Sequence, residues 1–255
     1  MVPASSFAAA TDAGQVREQN EDAWTAVPDS GLFAVADGMG GHAAGEVASR
    51  LAVAALEELA GGHGAPPGSV SEARRLLAGS IREAGRRIRE EGREHPGRRG
   101  MGTTLTALVL LAGGRGVVAH VGDSRAYRLR GGRLERLTRD HTWVQDQVDR
   151  GALSESEARR HPASSVLTRA LGTDAGVEPD IGEIAWERGD LYLLCSDGLT
   201  AAVPEPELAG ALGRALEGAP DRDGSPELAA AAGALVEEAN RRGGPDNVTV
   251  LLVRS

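Results

Sequence analysis

Four aspartates, each standing where an apolar, strand-like run meets a loop, constrain this chain more than any other feature. Asp37 ends the run Leu32-Phe33-Ala34-Val35-Ala36, and Asp123 follows Val117-Val118-Ala119-His120-Val121-Gly122. Asp197 follows Leu191-Tyr192-Leu193-Leu194-Cys195-Ser196, and Asp246 opens the run from Asn247 to Val253. A strand end is a rigid mount for a charge. If those strands lie side by side, carboxylates from distant parts of the chain converge on one rim, and like charges that close require cations between them. The pattern predicts a multinuclear metal site.

Composition limits what that site can belong to. With 255 residues and 41% hydrophobic content, the chain fits one large domain or two small ones and can bury a sizeable core. A formal charge of −9 argues against a nucleic-acid or anionic-membrane surface, so a phosphate substrate must be attracted locally. All 28 basic residues are arginine, a bias that reads as genome composition rather than function. The lone Cys195 excludes a disulfide framework and a multi-cysteine zinc site, and its apolar context makes it a buried small hydrophobe. Residues Met1 to Ser6 carry no positive region ahead of an apolar stretch, and the longest apolar run, near Leu105 to Ala112, is too short to cross a bilayer. The chain therefore reads as soluble and cytoplasmic, with no membrane segment.

Residues 44–60 place Val47, Leu51, Ala55 and Leu59 on one helical stripe, and residues 70–91 do the same with Ala73, Leu77, Ile81, Ala84 and Ile88. Ser69-Val70-Ser71-Glu72 introduces the second helix as a capping box, so the two helices are expected as an antiparallel pair on a sheet. Strand-like runs follow at Thr104 to Leu111, Gly116 to Val121 and Ala126 to Leu129, with Gly113-Gly114 and Gly131-Gly132 as turns, which favours antiparallel pairing. Residues about 143–165 are polar with a second cap at Ser154 to Glu157 and read as a surface flap; two more helices are expected at 205–217 and 226–241. Layered α and β structure in one domain, 1–255, follows, because two separate domains would part Asp37 from Asp246.

Arg17-Glu18-Gln19-Asn20-Glu21-Asp22 adds a guanidinium, whose paired donors match phosphate oxygens, beside carboxylates. Asp37-Gly38-Met39-Gly40-Gly41-His42 adds glycines that let the backbone approach a metal or phosphate, with the Gly38 carbonyl as an oxygen ligand. His120, His141 and His63 lack metal-ligand spacing and read as ordinary polar positions.

These segments, with Met101-Gly102-Thr103-Thr104, Gly122 to Arg125, Leu137 to Thr142, Thr168 to Gly172, Ser196-Asp197-Gly198 and Gly243 to Asn247, resemble the bacterial metal-dependent protein serine/threonine phosphatases of type 2C, in order and across nearly the whole chain. The resemblance implies an α+β fold: a four-layer α-β-β-α sandwich of two packed antiparallel sheets flanked by helix pairs. It implies that Asp37 bridges two metals, that Gly38 supplies a carbonyl, and that Asp197 and Asp246 complete the coordination of the second metal. Glu21 and Asp22 match residues that act through metal-bound water, Asp123 matches the ligand of a third ion, and Arg17 matches the phosphate-binding arginine. All-oxygen ligation suits Mn²⁺ or Mg²⁺.

The implied reaction is hydrolysis of phosphoserine and phosphothreonine by a metal-bridging hydroxide, with phosphoproteins and a partner serine/threonine kinase as counterparts and a monomeric chain. Met39 stands where eukaryotic relatives carry a histidine proposed as general acid. A thioether cannot donate that proton; His42, three residues on, is a candidate substitute acid, with a structural role holding the glycine loop as the favoured reading. A non-catalytic phosphoprotein-binding relative and a small-molecule phosphohydrolase are the competing functions; every acidic position the enzyme needs is present.

Overall fold

The computed structural model describes residues 6–40, 44–62, 67–215 and 225–255. Two antiparallel sheets face one another. The first has the order β1 (Ser6–Asp12), β11 (Val248–Arg254), β10 (Leu191–Cys195), β7 (Arg125–Arg130) and β8 (Arg133–Arg136). The second runs β2 (Asp22–Val27), β3 (Leu32–Met39), β5 (Leu105–Leu111), β6 (Arg115–Val121) and β9 (Asp180–Ala185), with the two-residue β4 (Gly102–Thr103) pairing on the end of β3.

The inner strands are continuous apolar runs because both of their faces are buried. On β3 and β5, alternate residues Phe33, Val35, Leu108 and Leu110 meet Tyr192, Leu194, Leu251 and Val253 of the opposite sheet. The intervening Ala34, Ala36, Ala107 and Val109 face α1 (Ala44–Gly62) and α2 (Val70–Glu94). Leu193, Cys195, Val250 and Leu252 likewise face α5 (Asp197–Ala202), α6 (Glu205–Ala215) and α7 (Ser225–Arg241). The chain is thus the four-layer α-β-β-α sandwich that the sequence implies. Among the described residues no helix is long and apolar enough to cross a membrane.

Both expected caps form, one incompletely. Ser154 and Glu157 make a reciprocal box at α4 (Glu155–Ala158), which with α3 (Trp143–Asp149) occupies the segment between β8 and β9. At α2, Ser69 Oγ accepts from the Glu72 amide (3.2 Å), but the Glu72 carboxylate turns to the Gly68 amide (2.9 Å). Strands β1 and β9 escaped the periodicity reading for opposite reasons. β1 is rich in alanine, a poor strand former, while β9 is a largely exposed edge with only Ile181 and Ile184 to bury.

Candidate active site

Antiparallel pairing of β2 and β3 sets Asp22 directly opposite Asp37. Thr103 and Thr104, entering β5, fix the backbone of Asp37 on both sides. The Asp37 amide donates to Thr104 Oγ1 (2.9 Å), and its carbonyl accepts from the Thr104 amide (2.9 Å) and the Thr103 hydroxyl (2.8 Å). The Thr104 hydroxyl also bonds Ser124 Oγ at 2.6 Å, which ties Asp37 to the residue after Asp123. Gly122, at φ +105°, makes that turn so tightly that a Cβ there would lie 2.6 Å from Thr104 Cβ.

The other sheet supplies Asp197 and Asp246. Asp197 opens α5 directly after β10, with Ser196 as its N-cap residue. Ser196 Oγ donates to Asp22 Oδ2 (2.7 Å) and accepts from the Thr249 amide (2.9 Å), so one hydroxyl stitches β10 and β11 to β2. Asp246 Oδ1 accepts from the Asn247 amide (2.9 Å), and its Oδ2 accepts from Arg17 Nη2 (2.8 Å) at the exposed edge of the group.

The charges are mutually repulsive. Burial, then the carboxylates of Asp22, Asp197, Asp123 and Asp246, holds the Asp37 carboxyl well above the usual range. Burial raises Asp22 to about 7 against the lowering effect of the Thr249 and Ser196 hydroxyls. Asp197 is raised by burial and then by Asp246. Asp123 is raised by burial, then by Asp197 and Asp140, with Arg125 opposing. Asp22 Oδ1 and Asp197 Oδ1 are buried with no protein partner. Oxygen atoms left bare in a field of like charge fit hard divalent cations. No three of these aspartates close around a single point. The trio that does so among the described residues is Glu91, Glu94 and His95 at the far end of α2, where Arg98 and His95 already pair with Glu91.

Gly38 has a geometric reason to be glycine. A Cβ there would lie 2.1 Å from the Gly45 carbonyl oxygen, because the first turn of α1 sits directly on the end of β3, and the Gly38 amide donates to the Glu21 carbonyl (3.2 Å). The matching Cβ on Gly45 would meet Glu21 Oε2 at 2.5 Å. Gly38→Ala is expected to destabilise the protein by about 1–3 kcal/mol, the usual cost of overpacking. Denaturant unfolding checks this, and an unchanged midpoint would refute the close approach.

The structure therefore brings Glu21, Asp22, Asp37, Gly38, Asp123, Asp197, Asp246 and Arg17 to one end of the sandwich. His42 lies outside the described residues. The supporting residues Thr104, Ser196 and Asn247 lie inside the motifs already named, but sequence reading assigned them no role. Their roles come from contacts between distant segments. His120 and His141 also differ from the ordinary polar positions expected. They are buried with ring centroids 4.7 Å apart. His141 accepts from the Gly122 amide through Nδ1 (3.1 Å), which leaves Nε2–H to donate to Asp180 (3.2 Å). His141 thus fastens the root of the α3–α4 segment to the turn that carries Asp123, with His120 of β6 packed against its ring. Cys195 is buried as expected, and burial pushes its thiol up to about 12.

Known proteins resemble this chain in sequence and fold. The family model described as "Protein phosphatase 2C" matches residues 12–231. The chain is 44% identical to "Serine/threonine protein phosphatase PstP" of Mycobacterium tuberculosis over 96% of its own length, yet spans only 44% of that protein. It is 37% identical to "Serine/threonine phosphatase stp" of Listeria monocytogenes, covering 95% of this chain and 93% of the relative. The M. tuberculosis PstP crystal structure superposes with a TM-score of 0.86 at 43% identity, covering 98% of each chain. A second structure, of the PstP catalytic domain "in complex with 2 Manganese ions", gives 0.83 at 42% identity, covering 98% of this chain and 97% of that one. With a matching family model over most of its length and relatives this similar, the chain belongs to the protein phosphatase 2C family.

Proposed function

We propose that this chain is a metal-dependent phosphoprotein phosphatase that hydrolyses phosphoserine and phosphothreonine. The observation that carries this is the convergence of five mutually repelling carboxylates, Asp22, Asp37, Asp123, Asp197 and Asp246, with Arg17 at their open edge. The names of the relatives and the two manganese ions of the PstP structure support the same reading.

In this reading Asp37, the Gly38 carbonyl, Asp197 and Asp246 would hold two divalent ions. Glu21 and Asp22 would assist through water, and Asp123 would hold a third ion. Bound there, Mn²⁺ or Mg²⁺ supplies Lewis-acid activation of water and neutralises the charge of a phosphate dianion. Everything else falls to the chain itself. The Thr103 and Thr104 bonds hold Asp37 still, and the Ser196 hydroxyl turns one Asp22 oxygen away and leaves the other free. Arg17, with its side chain 55% exposed, reaches solvent while anchored to Asp246, so its remaining donors can grip phosphoryl oxygens. Met39 cannot donate a proton to the leaving group; His42 is the candidate donor.

The same reading takes residues 1–255 as one catalytic domain with a flap at about 143–165. It also takes a partner serine/threonine kinase and its substrates as the physiological counterparts of a monomeric, cytoplasmic enzyme. Arg17→Ala is expected to raise KM for a phosphothreonine peptide about 10–100-fold, the value of one or two charge-assisted hydrogen bonds. Arg17→Lys should recover part of that loss, since the charge survives and the planar fork does not. Steady-state kinetics on both variants tests this; equal KM in wild type and Arg17→Ala would remove Arg17 from the site. For the function itself, the assay is phosphate release from a phosphothreonine peptide with Mn²⁺ and then with chelator. Turnover of p-nitrophenyl phosphate but of no phosphopeptide would point to a small-molecule phosphohydrolase instead.

A further inference from the structure

We propose that Asn247 is a positioning residue: its side-chain amide sets where the loop of residues 13–21 stands, and with it Arg17 and Glu21, relative to Asp246. Asn247 is 5% exposed, and every polar atom of its side chain is used on that loop. Oδ1 accepts from the Glu21 amide (2.8 Å), while Nδ2 donates to the Ala13 carbonyl (3.0 Å) and the Gln19 carbonyl (2.8 Å). One acceptor facing an N–H and two donors facing carbonyls leave no ambiguity about the orientation of the amide.

The three bonds bracket Arg17, one on its N-terminal side and two on its C-terminal side. The neighbouring backbone completes the seat. The Gln15 amide donates to the Gly244 carbonyl (2.8 Å), and Gly14, at φ +81°, lies so close to the Asp246 carbonyl oxygen that a Cβ would come within 2.3 Å of it. Asn247 also gives its own amide to Asp246 Oδ1, whose other oxygen holds Arg17. One residue therefore fixes a proposed metal carboxylate through its backbone and the proposed phosphate clamp through its side chain. A separation between cation and guanidinium that must match one phosphoryl group is thus set within a single residue.

The catalytic consequence rests on the phosphatase reading above; the structural one does not. The test uses amide hydrogen exchange and steady-state kinetics with p-nitrophenyl phosphate at saturating Mn²⁺ on wild type, Asn247→Ala and Asn247→Asp. In Asn247→Ala, amides from Gln15 to Glu21 should exchange about 10-fold faster or more, with β5 amides unchanged, and KM should rise about 10-fold while kcat falls less. Asn247→Asp is nearly isosteric and carries the test even if the alanine variant folds poorly. It keeps an acceptor for the Glu21 amide but turns an oxygen toward the Ala13 and Gln19 carbonyls. Residues 13–19 should loosen while Glu21 keeps its protection. Wild-type exchange across 13–21 in both variants, or a loosened loop with unchanged KM, would overturn the proposal. If wild type hydrolyses no phosphate ester, the phosphatase reading falls, and the exchange data still decide whether Asn247 holds the loop.

Discussion

Asp37→Asn should lower phosphate-ester hydrolysis by about 10³-fold or more, the scale on which loss of a preorganised electrostatic element is felt. The same substitution should make the chelator-treated protein more stable. Both effects have one cause. Asp37 is buried at a strand end, held by Thr103 and Thr104, and repelled by Asp22, Asp197, Asp123 and Asp246. An amide of the same shape keeps the packing and removes a charge that costs free energy whenever no cation balances it. A gain of about 0.5–2 kcal/mol is expected, as for other sites where function opposes stability. In a chain of this size each kcal/mol moves Tm by about 2–4 °C. Asp197→Ala should lose activity to the same degree. Thermal melts with chelator, run beside activity assays, check the pair of effects; an Asp37→Asn protein that is both inactive and less stable than wild type would mean that this carboxylate is a structural element.

The second large effect is a coupling between pH and metal. Asp22 moves from an ordinary 3.8 to about 7 in the folded protein, and Asp37, Asp123 and Asp197 are displaced in the same direction. A raised folded-state pKa means that the folded chain binds protons more tightly than the unfolded one. The corresponding stability is present in full below about pH 4 and is lost as pH rises through about 7. Across that window the metal-free protein should lose stability on the order of a few kcal/mol. Divalent cations compete with those protons, so stabilisation by Mg²⁺ should be small at pH 5.5 and large at pH 8. A thermal shift on adding Mg²⁺ that does not change between those two pH values would show that the carboxylates do not receive the ion.

How much of this was legible in the sequence follows from the physics of each element. The strand-end aspartates were visible because an apolar run that stops at a carboxylate is a local pattern, and Asp37, Asp123, Asp197 and Asp246 all occupy such stops. The inner strands and the paired helices α1 and α2 were visible through periodicity, since their apolar positions face a core on one or both sides. What stayed hidden depends on contacts across the chain. Ser196 reaches Asp22 over 174 positions, and Asn247 reaches Ala13 over 234, distances at which no local spacing rule operates. The burial of His120 and His141 was hidden for the same reason. His141 sits in a stretch that reads as ordinary polar sequence until Gly122 and Asp180 are folded against it, whereas His120 lies within an apolar strand run and meets Thr106 across the β5–β6 pairing. Alanine-rich β1 lacked the β-branched signal that its position beside β11 does not require.

The central claim is that the acidic rim holds divalent cations and that those cations serve phosphate-ester hydrolysis. Crystals of the wild-type chain grown with Mn²⁺, with diffraction measured at the manganese absorption edge, test it most directly. The account predicts anomalous peaks at the carboxylate oxygens of Asp37, Asp197 and Asp246, weakened or lost in Asp37→Asn. A wild-type protein that releases phosphate from a phosphothreonine peptide while no peak lies among these residues would contradict it.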